Sequence, residues 1–143
     1  MRRRIRQEDG AAAVEFALIV GLLSILVFGL LEYGIAFWQV QNLRAAVREG
    51  ARVAAVRGDA AAIEAAMVDS SAGSLTGGET FTVTTNGVPG QLCGPDGTER
   101  TEVRVELVNS TLSPSVQAAF QVSIPFLPPI QLDPTLSGSF RCE

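Results

Sequence analysis

Glu15 is the one charged residue in GAAAVEFALIVGLLSILVFGLL, the otherwise apolar stretch of residues 10–31. An ionised carboxylate in such a run costs several kcal/mol in a membrane, so it calls for a partner. Were the chain cut after Gly10, Ala11 would carry a new α-amine and Glu15 would lie four residues further on. Four residues along a helix bring side chains back to one face, about 6 Å up the axis. The carboxylate could then pair with its own amine or with that of a neighbouring helix. In lipid that pairing offsets much of the cost of burying either charge alone. Glycine before the cut suits a protease, which must extend the backbone and approach it closely. The plainer reading is an acid about one turn inside the span that snorkels to interface water.

Other reactive groups are few. Cys93 and Cys142 are the two cysteines, both outside the apolar run. In an oxidising compartment they can form one structural disulfide, worth about 2–4 kcal/mol. A redox role would want a closer pair such as C-x-x-C. Histidine is absent, which removes the usual general base, Ser-His-Asp and Cys-His arrangements, and most catalytic zinc sites. The PDGT stretch at residues 95–98 has the wrong order for an aspartic-protease motif and lacks a partner aspartate. It reads as a turn, as does Asn86-Gly87. Asn109-Ser110-Thr111 fits a glycosylation sequon, a motif short enough to match by chance. Nothing in residues 70–143 points to a small-molecule substrate, and no cofactor or metal is expected. The net charge of −4 and pI near 4.8 argue against a nucleic-acid partner. The 11 basic residues are all arginine and are not gathered in one patch.

These groups need a frame to hold them. Residues 11–31 form a run of 21 that rises about 31 Å as a helix, close to the thickness of a bilayer's hydrocarbon core. Tyr33, Phe37 and Trp38 follow where an aromatic belt would lie. Arg2, Arg3, Arg4 and Arg6 precede the run and place the N-terminus in the cytoplasm. The run is too long for a cleaved secretory signal and continues into helix rather than a small-x-small site, so a retained signal-anchor fits better.

Beyond the span, Phe37, Val40, Leu43, Val47, Ala51 and Ala54 recur at spacings of three and four. This predicts one long helix over residues 11–56, apolar in its first half and amphipathic in its second. Arg44, Arg48 and Arg52 fall on a neighbouring face, with Glu49 in reach of Arg52. They form either a solvated face or a docking surface. Ala13, Ala17 and Gly21 make a small-xxx-small ridge suited to close helix packing. Gly58 and Asp59 read as a stop and an N-cap, starting a helix over residues 60–68. SSAGSLTGG at residues 70–78 reads as a flexible connection or turn. Alternating patterns then predict strands at residues 79–86, 99–108 and 119–124, the last stopped by Pro125, with a weaker one at 136–142. The PFLPPI stretch at 125–130 reads as extended loop. No internal repeat is present. The fold class is α+β: a long N-terminal transmembrane and amphipathic helix followed by a small antiparallel sheet.

At this point the chain resembles a known family. A basic leader, Gly10, small residues, Glu15, Phe16 and a long apolar helix resemble the prepilin processing signature of type IV pilins and pseudopilins. GAAAVEFALIVGLL, then LEYG and NLRAAVREGARVAA, is similar to the TadE-like family of tight-adherence (Flp) pilus assembly proteins. The likeness is clear over residues 8–57, with REGAR as telling as the membrane motif. It implies a pilin-like fold and a minor pilin or pseudopilin of the bacterial inner membrane, single-pass, with its C-terminal region extracytoplasmic. It further implies cleavage between Gly10 and Ala11 by a prepilin peptidase, and partners among other pilin-like subunits and assembly-platform proteins. Phe16 stands where filament-forming relatives often carry tyrosine.

The expected organisation is a cytoplasmic basic leader at 1–10, a transmembrane and amphipathic helix at 11–57, and a small exported α+β region at 58–143. The leading expectation is a non-enzymatic pilus-assembly component processed after Gly10. The alternative is an unprocessed single-pass anchor for a small exported binding domain.

Overall fold

The computed structural model describes residues 2–56, 58–93, 101–124 and 126–142, with side-chain surroundings from Gly10 onward. Its spine is α1, one continuous helix over Arg2–Ala55. The helix therefore begins well before the expected Ala11, and at 1.5 Å per residue it is about 80 Å long. The lower half stands open. From Val14 to Trp38 the large apolar side chains, including Phe16, Leu22, Leu26, Leu30 and Ile35, are exposed, apart from the part-buried Ile25.

The upper half of α1 is the centre of the core. Ala36, Val40, Leu43, Val47, Ala51 and Ala54 are buried at the expected spacing, widened by Ala46 and Ala55. Phe37, expected in this stripe, points outward, and Ala36 takes its place. Its ring instead stacks on Tyr33 one turn below, with centroids 6.3 Å apart. Small residues on this stripe let two layers approach the helix. On one side lies α2, over Ala60–Ser70, capped by Asp59, whose carboxylate accepts from the Ala62 N–H at 2.8 Å. Ile63 and Met67, one turn apart, are its buried residues.

On the other side lies a four-stranded antiparallel sheet. Its strands are β1 (Phe81–Thr85), β2 (Val88–Pro89), β3 (Glu102–Leu107) and β6 (Ser137–Arg141), in the order β2-β1-β3-β6. Val103, Val105 and Leu107 on β3 are buried and the residues between them exposed, as alternation predicts. Thr85 pairs with Val88, leaving Asn86-Gly87 as a two-residue loop at φ 50° and 78°, the left-handed pair that a tight hairpin needs. The expected turn at residues 95–98 and the start of the expected strand at 99 lie outside the described residues. So does the proline expected to stop the third strand.

The connections hold the main departures. The link after α2, expected as a flexible connection or turn, is a turn tied down by hydrogen bonds. Ser71 Oγ accepts from the Leu75 N–H, Glu79 accepts from Thr76 and Gly77, and Glu64 accepts from the Gly78 N–H at 2.6 Å. The strand expected at 119–124 is mostly absent. Pro114–Ala119 forms a short helix, α3, because Pro114 fits a first helical position and Val116 and Phe120, one turn apart, both go inward. Only Gln121–Val122 remains extended, as β4, and pairs with β5 at Ile130–Gln131. Cys93 and Cys142 are joined by a disulfide with a Cα–Cα distance of 5.7 Å, which fastens the end of the hairpin segment to the last strand.

Candidate functional site

The features expected to carry function all lie on α1. Gly10, Ala11 and Glu15 are exposed on unbroken helix. Ala11 and Glu15 are four residues apart and share a face, so an amine created at Ala11 would be within reach of the carboxylate. Among the described residues Glu15 has no ion-pair or hydrogen-bond partner. A side chain added at Gly10 or at Gly21 would meet nothing within 4 Å. Ala13, Ala17 and Gly21 therefore present an open ridge.

Further up, the segment RAAVREGAR is shaped by packing. Gly50 lies under α2, where a Cβ would come within 2.6 Å of the Met67 side chain. Gly138 on β6 crosses the opposite flank, and a Cβ there would stand 2.6 Å from the Val47 carbonyl oxygen and 2.8 Å from Arg48 Cα. Two glycines thus let a helix and a strand press on α1 from either side. Gly138 went unread in the sequence, although a glycine inside a strand pattern is the ordinary sign of a close backbone approach.

The three arginines do not form a uniform surface. Arg44 is half-buried and lines a cleft with Tyr33, Ala36, Val40, Leu132 and Asp133. Arg48 is exposed where β6 crosses. Arg52 is committed to Glu49, its Nε donating to both carboxylate oxygens at 2.9 and 3.0 Å. The Arg52 hydrogen bonds and charge hold the Glu49 carboxyl below its ordinary value.

One contact joins the end of the apolar run to the C-terminal region and has no counterpart in the sequence reading. The Glu32 carboxylate accepts from the Ser123 backbone N–H at 2.6 Å. Glu32 and Ile35 share a groove with Ala118, Ala119 and Gln121, and a Cβ on Gly29 would lie 3.7 Å from Ile124 Cδ1. The chain after α3 thus runs down α1 towards its N-terminal end. No periodicity in the sequence announces a pairing between residues so far apart.

Among the described residues no group of three or more His, Cys, Asp or Glu side chains could hold a metal ion. Asn109 is tied into the fold, its Nδ2 donating to Asp133 and to the Pro134 carbonyl.

α1 is long and apolar enough to cross a membrane, and none of its most apolar stretch is buried by the rest of the chain. An open apolar surface on every side of a helix is what lipid contact requires. Residues 10–52 match the family of TadE-like proteins. The match begins at the glycine of the expected cleavage site and ends at the arginine that closes the Glu49–Arg52 pair. This TadE-like segment holds the uncovered apolar run together with the amphipathic half that organises the core. No curated protein and no solved structure matches the chain.

Proposed function

We propose that this protein is a membrane-anchored component of a tight-adherence pilus assembly system, a pseudopilin or minor pilin that acts through its N-terminal helix. The observation that carries the proposal is the TadE-like segment itself: an uncovered apolar helix with Gly10, Ala11 and a lone Glu15 at its entrance. In this reading the basic leader lies in the cytoplasm and the sheet-bearing region outside it. A prepilin peptidase cuts between Gly10 and Ala11. That bond sits in helix, so cleavage needs local unwinding, which glycine eases by about 1 kcal/mol relative to alanine. The freed amine then pairs with Glu15 of the same or a neighbouring helix, and the Ala13–Ala17–Gly21 ridge allows the close approach that such a pairing needs.

The chain itself makes and breaks no bond in this scheme. Its work is to insert, pack and present the sheet-bearing region, with Arg44 and Arg48 the arginines left for partner subunits. A photoreactive residue at Ala17 tests the packing in cells that hold the pilus system. Crosslinks to other pilin-like subunits are expected. Crosslinks to lipid alone, with the pilus still assembled, would favour an anchor that holds a separate binding domain.

A further inference from the structure

The segment IPFLPPI, residues 124–130, is wholly apolar in sequence, and its described residues, Ile124 and 126–130, lie at the tip of the β4–β5 hairpin. The hairpin's direction is fixed by three contacts with α1. Gln121 shares a groove with Ile35 and Glu32, the Ser123 N–H donates to Glu32, and Ile124 packs on Gly29. Each step lies further towards the N-terminal end of α1. After the tip the chain climbs back: Leu132 donates its N–H to the Phe120 carbonyl and lines a cleft with Tyr33, Ala36 and Val40. The tip therefore points down the helix towards the apolar run.

Gly29 is two residues inside the end of that run, so Ile124 sits about 3 Å below its boundary. Ile25, one turn deeper on the same face, is also part-buried, while most of the span is open. At this level a loop of a soluble region should be polar. Instead Phe126 is 94% exposed, with Leu127 and Ile130 exposed beside it. Backbone chemistry matches. Residues 125, 128 and 129 are prolines, which have no N–H to leave unpaired, and the Leu127 N–H is bonded to the Ile124 carbonyl. Lipid-exposed loops are excluded from the hydrocarbon core by unpaired backbone donors, and this loop has few.

We propose that Ile124 and residues 126–129 form a membrane-inserting loop, seated in the headgroup–acyl boundary of the bilayer that α1 crosses, on the side where the span ends. Such a second attachment would fix the sheet-bearing region against the membrane and set the rotation of α1 about its axis. Glu32, at the water boundary, is the clasp that holds the hairpin at this depth. The occupant is lipid because the loop is continuous with the open apolar surface of the span and carries no charge for a protein partner to read.

The inference rests on α1 spanning the bilayer, and the test separates the two. Trp38 is the chain's one tryptophan, so Trp38→Phe in the full chain gives a silent background for single probes. Leu22→Trp, Phe126→Trp, Leu127→Trp and Phe140→Trp would each be placed in it and reconstituted in phosphatidylcholine vesicles carrying brominated acyl chains. The expected result is strong quenching at 22 by deep bromines, strong quenching at 126 and 127 by shallow bromines, and none at 140 on the outer strand. Tryptophans at 126 and 127 that ignore the bromines and yield to an aqueous quencher, with 22 still quenched, would overturn the loop proposal alone. Loss of lipid quenching at 22 would overturn the span and the loop with it. Quenching at 126 that falls as protein density rises, with 22 still quenched, would assign the tip to a second copy instead of lipid.

Discussion

Single glycines decide how closely other elements approach α1. A Cβ on Gly138 meets the backbone of Val47 and Arg48, which cannot give way, whereas a Cβ on Gly50 meets the Met67 Cγ and Sδ, side-chain atoms that can repack. Gly138→Ala should therefore destabilise the fold by about 1–3 kcal/mol. Gly50→Ala should cost much less, because repacking Met67 is offset by the roughly 1 kcal/mol that alanine gains in a helix. Denaturation of the two variants in the same detergent checks the order, and an equal loss would refute the close crossing of β6. Glu79 offers a pH test. Burial pushes its carboxyl up, but the N–H groups of Thr76 and Gly77 and the Thr76 hydroxyl outweigh that and hold it below the ordinary value. A depressed carboxyl stabilises the fold above the ordinary glutamate value of about 4.3, and this contribution is lost as pH falls through the lower folded value. Glu79→Gln should leave a shallower acid limb in the stability profile; an unchanged limb would mean that these bonds contribute nothing.

At the scale of elements, whatever repeats along the chain was legible and whatever pairs distant segments was not. Spacings of three and four placed the core stripe of α1, and alternation placed β3, because each reflects one face meeting one environment. Asp59 was readable as a cap from its position before an alanine run, and it does accept from the Ala62 N–H. Asp59→Ala should cost about 1 kcal/mol, read as a lower melting point with the helix content otherwise retained. Phe37 was misplaced because an aromatic at the membrane boundary satisfies both a core pattern and a belt, and the structure gives the inner place to Ala36. The region after Leu112 failed because AFQVSI alternates by accident, while Pro114, Val116 and Phe120 set a short helix ahead of it. The Glu32–Ser123 clasp could not be foreseen, since it joins residues 91 apart in sequence.

At the scale of the molecule, a long helix carries an open apolar half and a half wrapped by α2 and the sheet, and the TadE-like match covers most of both. The wrapping has few layers, so the Cys93–Cys142 link across 49 residues matters. Reducing it, or replacing both residues with serine, should remove about 2–4 kcal/mol. The loss should be largest for the sheet and leave the helical signal of the span intact; coincident loss of both would show that the halves melt together. The proposed site at the lower end is a pattern in the sequence, and a pairing between Glu15 and an α-amine at Ala11 requires cleavage, a chemical change that folding does not make. Cleavage after Gly10 is the central expectation. N-terminal sequencing of the membrane-extracted protein, from cells with and without its prepilin peptidase, tests it directly. Ala11 is expected as the first residue when the peptidase is active, and an uncut leader when it is not. An intact leader in the presence of active peptidase would contradict it.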